Sequence, residues 1–153
     1  DINVPFDDFR ARYERAVPAF DLATLGGFAT WNAVVDDAVA KAPYGFLRYG
    51  TVDAGPLFSV AGHKARSVTY LMGNHTIAET MYGTDAGVML YAPLRTVLYE
   101  DRTGRVRFAI DQPGTRFSSF GNKDIAATGK RLDAKLAVLL RDLALPVPKA
   151  LLS

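Results

Sequence analysis

The amino-acid sequence predicts one α+β domain in which helices flank a block of antiparallel strands, and three observations predict it. Apolar residues recur at steps of three and four through residues 1–44, the period shifts toward two from Tyr44 onward, and a long stripe at helical spacing closes the chain. Single strands and helices do not alternate, so nothing argues for a parallel sheet, and there is no internal repeat. A length of 153 residues suits a single domain over 1–153, with a helical part at 1–44 and a sheet, a short helix and a closing long helix at 45–153.

In "VPFDDFRARYERAVP", Phe6, Phe9, Tyr13 and Val17 share one helical face; Pro5 suits the first turn and Pro18 ends it. "DLATLGGF" reads as a loop around Gly26 and Gly27, with no phosphate-loop pattern after it. "TWNAVVDDAVAKAP" is the cleanest amphipathic stretch, with Trp31, Val34, Val35, Ala38, Val39 and Ala42 on its apolar face, Thr30 as cap and Pro43 as stop.

From there "FLRYGTVD", "PLFSVAG" and "ARSVTYLMG" read as three successive strands, separated by turns at Asp53 to Pro56 and Gly62 to Lys64. A short helix over Thr76 to Tyr82 follows, with Asn74 as N-cap. "GVMLYAPLRTVLYED" reads as two strand pieces broken at Ala92 and Pro93, and "TVLYEDRTGRVRFAI" as a tight β-hairpin. "DQPGTRFSSFGN" has no regular period. Ile125, Gly129, Leu132, Leu136, Leu139, Leu140 and Leu143 then line one face of a helix that starts near Asn122 and stops before Pro146.

Composition excludes several function classes. Eighteen basic and sixteen acidic side chains leave a net charge of +2, too small and too scattered for a nucleic-acid partner or an anionic membrane surface. With no cysteine there are no disulfides, thiolate metal sites, c-type haem attachments or cysteine nucleophiles. No apolar run reaches the roughly 18 residues of a membrane span, so no membrane insertion is expected. The chain begins at Asp1 instead of methionine, which leaves an exported, periplasmic location after signal cleavage and a cytoplasmic one equally open.

Candidate chemistry centres on "YLMGNHTIAETMYG". With Asn74 as cap, His75 is the first helical residue, beside free N–H groups where a small anion could sit. A neutral imidazole is also a common iron ligand, and Met72, Met81 and Met89 lie near, so non-covalently held haem b with His75 as axial ligand is an alternative. His63 falls in a solvated turn and makes no i, i+4 pair with His75, so a dedicated zinc site is not expected. The chain lacks a G-x-S-x-G elbow, and Ser59, Ser67, Ser118 and Ser119 have no evident base.

The carboxylate pairs Asp7-Asp8 and Asp36-Asp37 read as solvated helix faces, and Glu100-Asp101 as part of a turn. Arg95 lies in an apolar strand beside Tyr91 and Tyr99 and must face solvent or a buried anion. Arg116, Phe117 and Phe120 sit among small residues in a stretch that either packs under the last helix or walls a pocket. Asn74, His75, Tyr91, Arg95, Arg116 and Phe117 form the best polar and aromatic set for a ligand.

At "YLMGNH", "YAPLRTVLYED" and "FAIDQP" the chain resembles the family catalogued as domain of unknown function 302, over roughly residues 60–143. The elements in order are a Gly-Asn pair closing a strand, a short helix, a Pro-Leu-Arg strand running into an acidic turn, a strand ending in Asp-x-Pro, and a closing helix. The resemblance implies an α+β fold similar to one repeat of the TATA-box-binding protein, with a helix packed on a curved antiparallel sheet, and often a homodimer. It implies no agreed activity, and DNA binding does not follow from fold analogy. The chain departs from the family pattern in placing His75 where proline commonly follows Gly-Asn, and in an additional helical segment over Leu25 to Tyr44. The function expected is a small-molecule-binding domain with a mainly apolar pocket, catalytic or not; the alternatives are a haem protein using His75 and an interaction module acting as a homodimer.

Overall fold

A computed structural model describes residues 2–152. Helix α1 spans Phe6–Ala16, and its predicted stripe of Phe6, Phe9, Tyr13 and Val17 is buried against the sheet. Tyr13 is fully buried, its ring 4.8 Å from that of Tyr70 and tilted against it, and its hydroxyl 3.2 Å from Thr96 Oγ1, which satisfies both buried oxygens.

Four antiparallel strands run in chain order β1-β2-β3-β4: β1 Leu47–Asp53, β2 Ser67–Gly73, β3 Leu94–Glu100 and β4 Val106–Ile110. Alternation sorts the faces. Val68, Tyr70 and Met72 of β2 and Leu94, Thr96 and Leu98 of β3 point into the core, while Leu71 and Arg95 point outward. The β3-β4 hairpin forms with Glu100 opposite Val106. The sheet is not closed, but each edge is covered at one point: Ile2 bridges Val106 on β4, and Ala19 bridges Arg48 on β1.

Helix α6, Lys123–Asp142, is capped by Asn122 Oδ1, which accepts the N–H groups of Asp124 and Ile125. All seven residues of its predicted stripe are buried, with Leu136 and Leu139 fully so. Helix α2, Trp31–Lys41, starts at Thr30 as expected, with Thr30 Oγ1 accepting the Ala33 N–H. Its apolar face, however, largely misses the core: Ala38 and Ala42 are buried, but Trp31 is 46% and Val39 76% exposed.

Three segments differ from their sequence pattern. "PLFSVAG" is not a strand: Gly55–Ser59 form a short helix α3, because Asp53 Oδ1 takes the Gly55 N–H and Pro56 cannot donate to a ladder. The first half of "GVMLYAPLRTVLYED" is a 3₁₀ turn, Ala86–Leu90, started by Asp85 Oδ1 on the Gly87 N–H. "DQPGTRFSSFGN" contains helix α5, Pro113–Ser118, which docks on α6 through the buried Asp133; its Oδ1 accepts the Gly114 N–H and its Oδ2 the Gln112 amide. Gly129 makes that approach close, since a Cβ there would lie 2.9 Å from Phe117 Cβ and 3.1 Å from Gly114 Cα. Helix α4 spans His75–Tyr82 and joins the 3₁₀ turn on one side and α2 on the other.

Candidate functional site

The site begins with an irregularity in β1. Arg48 lies opposite Met72 and Gly50 opposite Leu71, so Tyr49 is an extra residue in the ladder, a bulge. Bulges redirect side chains, and here the phenol reaches the start of α4. Tyr49 Oη accepts the His75 backbone N–H at 3.0 Å and lies 2.7 Å from His75 Nδ1. Gly73 lets Pro93 approach closely, since a Cβ there would come within 3.3 Å of Pro93 Cα. Phe20 packs on both rings, 4.9 Å from His75 and 5.4 Å from Tyr49, and its own position is fixed by its N–H donating to Arg48 O at 2.8 Å.

Asn74 builds the helix start. Its Oδ1 accepts from Thr76 N, Thr76 Oγ1 and Ile77 N, and its Nδ2 donates to Gly45 O at 3.0 Å. The side chain is therefore committed to structure. His75 is set differently. Burial pushes its pKa below the usual histidine value, with the charge of Asp37 on α2 pulling the other way. Its Nε2 is buried and has no hydrogen-bond partner among the described residues, and the same holds for Asp37 Oδ2. Burial also pushes the Tyr49 phenol up to about 12, so it is neutral at ordinary pH.

Tyr49 and His75 border an open cleft of about 520 Å³. Leu22, Leu25, Trp31, Leu71, Ala78, Tyr82, Met89 and Pro93 line it with them. Several of these apolar side chains, Leu22, Leu25, Trp31 and Met89 among them, are about half exposed. Exposed apolar patches of this kind are uncommon on monomeric soluble domains. Another cleft of about 470 Å³ is lined by residues of β4, α6 and the C-terminal segment.

The family described as "Domain of unknown function DUF302" matches residues 20–143. The chain belongs to the DUF302 family. The crystal structure of an uncharacterized conserved DUF302 protein from Bacillus stearothermophilus is similar to it, with a TM-score of 0.66 over 94% of each chain at 12% identity, a likeness that carries the fold alone. No curated protein matches. The DUF302 match reaches back to Phe20, ahead of residue 60, and so takes in α2, Phe20 and Tyr49.

Within this DUF302 chain the sequence-predicted site residues are divided. Asn74 and His75 border the cleft. Tyr91 and Phe117 border a separate cavity of about 20 Å³, which Asn74 also touches, and their rings meet edge-on at 6.4 Å. Arg116 pairs with Asp111 at 2.8 Å and lies 5.6 Å from the Tyr91 ring, and Arg95 is exposed on the outer sheet face opposite Leu71. His63 is exposed, and Ser59, Ser118 and Ser119 spend their hydroxyls on backbone carbonyls. Among the described residues no group of three or more His, Cys, Asp or Glu is placed to hold a metal ion.

Axial ligation of haem needs a free imidazole nitrogen. With Nδ1 engaged by Tyr49 and Nε2 buried, the ring as placed offers neither to the cleft. The residues that sequence reasoning missed are Tyr49, Phe20 and Asp37. Asp37 reads as a solvated face in the sequence, yet its side chain is only 21% exposed and Lys41 Nζ sits 2.6 Å from its Oδ1.

Proposed function

We propose that the cleft between α2 and α4 binds an apolar small molecule. The observation that carries this is the cleft's composition: it is lined mainly by aliphatic and aromatic side chains and is partly open to solvent, with Tyr49, Asn74, His75 and Glu79 as its polar members. Ligand sites of this size are built in that way, with a few fixed polar groups orienting a mainly apolar molecule. The family match supports no activity beyond a domain of unknown function, so the binding role stands on the geometry alone.

Trp31 makes the test direct, because it is the one tryptophan of the sequence and stands in the cleft wall. N-phenyl-1-naphthylamine, a neutral apolar fluorophore, is expected to quench Trp31 emission by energy transfer at micromolar concentration. Ala78→Glu, which puts a charge in the wall, is expected to abolish the quenching without lowering the melting temperature. No quenching at saturating probe overturns the reading. Light scattering on the same sample covers the other occupant, a second copy of the chain: a dimer that Leu71→Glu dissociates assigns the apolar surface to protein contact instead.

A further inference from the structure

The apolar cleft has a charge of its own, and it is negative. Glu79 is the charged member of its lining; no lysine or arginine lines it, Arg95 opposite Leu71 included, and burial favours the neutral form of His75. Glu79 also differs from the other two glutamates of the sequence. Glu14 is held by Arg10 and by the Tyr70 hydroxyl, and Glu100 by Arg66. The exposed Glu79 carboxylate has no hydrogen bond or ion pair among the described residues. Three and four places from it along α4 stand His75, Thr76, Tyr82 and Gly83, so its own helix supplies no cation to neutralise it.

An anion has little to hold it here. The start of α4 would be the natural place, because the first N–H groups of a helix have no partner within the helix. Each of them is taken: Tyr49 Oη accepts from His75 N, Asn74 Oδ1 from Thr76 N and Ile77 N, and Asn74 O from Ala78 N. The Asn74 amide is committed to Gly45 O, and the Tyr49 hydroxyl to His75. The donors that remain in the lining, the Trp31 indole and the Tyr82 hydroxyl, are neutral. The small anion that the sequence alone would place beside His75 therefore meets neither a free helix amide nor a cation.

A cation is served better. Trp31, Tyr49 and Tyr82 bring three aromatic rings to the same lining, and the faces of such rings attract positive charge. We propose that the cleft selects an apolar molecule carrying one positive charge, an amphiphilic ammonium, whose apolar body covers the aliphatic and aromatic lining while its charge meets Glu79. The proposal rests on the cleft reading above and gives its ligand a chemical class. Because Glu79 is exposed, the pair it forms is partly screened by solvent and contributes selectivity, and the apolar contact contributes the affinity common to all charge types.

The test titrates three related naphthalenes into the intact chain by calorimetry at neutral pH: (2-naphthylmethyl)trimethylammonium, 2-naphthalenemethanol and 2-naphthylacetate, which are cationic, neutral and anionic. The wild type is expected to bind the ammonium more tightly than the acetate. Glu79→Gln, which keeps the side chain's size at an exposed position, should weaken the ammonium about two- to fivefold, strengthen the acetate by about as much and leave the alcohol within about 1.5-fold. Raising the salt from about 0.01 M to about 1 M should shrink the difference between wild type and variant for both ions. Glu79→Lys should reverse the order of the ions. A wild type that binds the alcohol but prefers the acetate, or binds both ions equally, overturns the ligand class and leaves the apolar cleft standing. Equal losses of ammonium and alcohol in Glu79→Gln overturn the charge pairing, since the residue would then act through packing. Failure of all three compounds to bind overturns cleft and proposal together.

Discussion

Replacing Asn74 with alanine removes four hydrogen bonds at the first turn of α4: three accepted by Oδ1 from Thr76 and Ile77, and one donated by Nδ2 to Gly45 O. Loss of a side-chain cap costs about 1 kcal/mol. Leaving the partly buried Gly45 carbonyl without its donor costs about 1 kcal/mol more. The sum, about 2 kcal/mol, corresponds for a domain of this size to a melting temperature lower by about 4–8 °C. Asn74→Asp separates the two parts, because a carboxylate keeps the cap and suits the positive helix end but cannot donate to Gly45, so it should lose about 1 kcal/mol. Calorimetric melts of the three proteins at neutral pH make the measurement. An alanine variant melting within about 1 °C of the wild type refutes the cap reasoning, since about 2 kcal/mol could not then be at stake. Equal losses in both variants would move the whole effect to the Gly45 bond.

Gly129→Ala should destabilise the chain by about 1–3 kcal/mol in urea unfolding, even though alanine favours a helix by about 1 kcal/mol, because the new methyl meets Phe117 Cβ and the backbone of α5 at 2.9–3.1 Å. A stabilised variant would mean that α5 does not sit as close to α6 as described. The lowered pKa of His75 means that the folded chain binds fewer protons than the unfolded one, whose histidine titrates at about 6.5. Its contribution is therefore complete above about pH 6.5 and declines as pH falls below it. Urea midpoints across about pH 5–8 should show that decline, and His75→Gln should flatten it; an identical slope in both proteins would place the dependence elsewhere.

Much of the architecture is legible in the residues because it depends on local chemistry. Phe6, Phe9, Tyr13 and Val17 can share a face only in a helix, the stripe from Ile125 to Leu143 can be buried only as one, and "EDRTG" turns a hairpin wherever it stands. Asn74 and Asn122 are caps for the same reason, since an asparagine side chain reaches the N–H groups two and three places on without help from the rest of the fold. His75 also stands out in the sequence as the first residue of the helix that Asn74 caps. Where the pattern misled, a partner distant in sequence intervened: Asp133 and Gly129 turn the aperiodic "DQPGTRFSSFGN" into a docked helix, and nothing inside that stretch announces them.

The amino-acid sequence by itself determined the α+β class, the two long amphipathic helices at either end of the sheet's core, the hairpin and the cap at Asn74, all of which follow from periodicity and from bonds between near neighbours. Only the tertiary structure decided what surrounds His75. Tyr49 reaches it through a bulge that exists only when β1 is paired with β2, Asp37 approaches it only because α2 lies against α4, and Phe20 covers it from a segment held on the edge of β1. These three residues stand 26, 38 and 55 positions from His75. No periodicity spans such distances, so the chemical environment of the imidazole is a property of packing and not of any one stretch of chain.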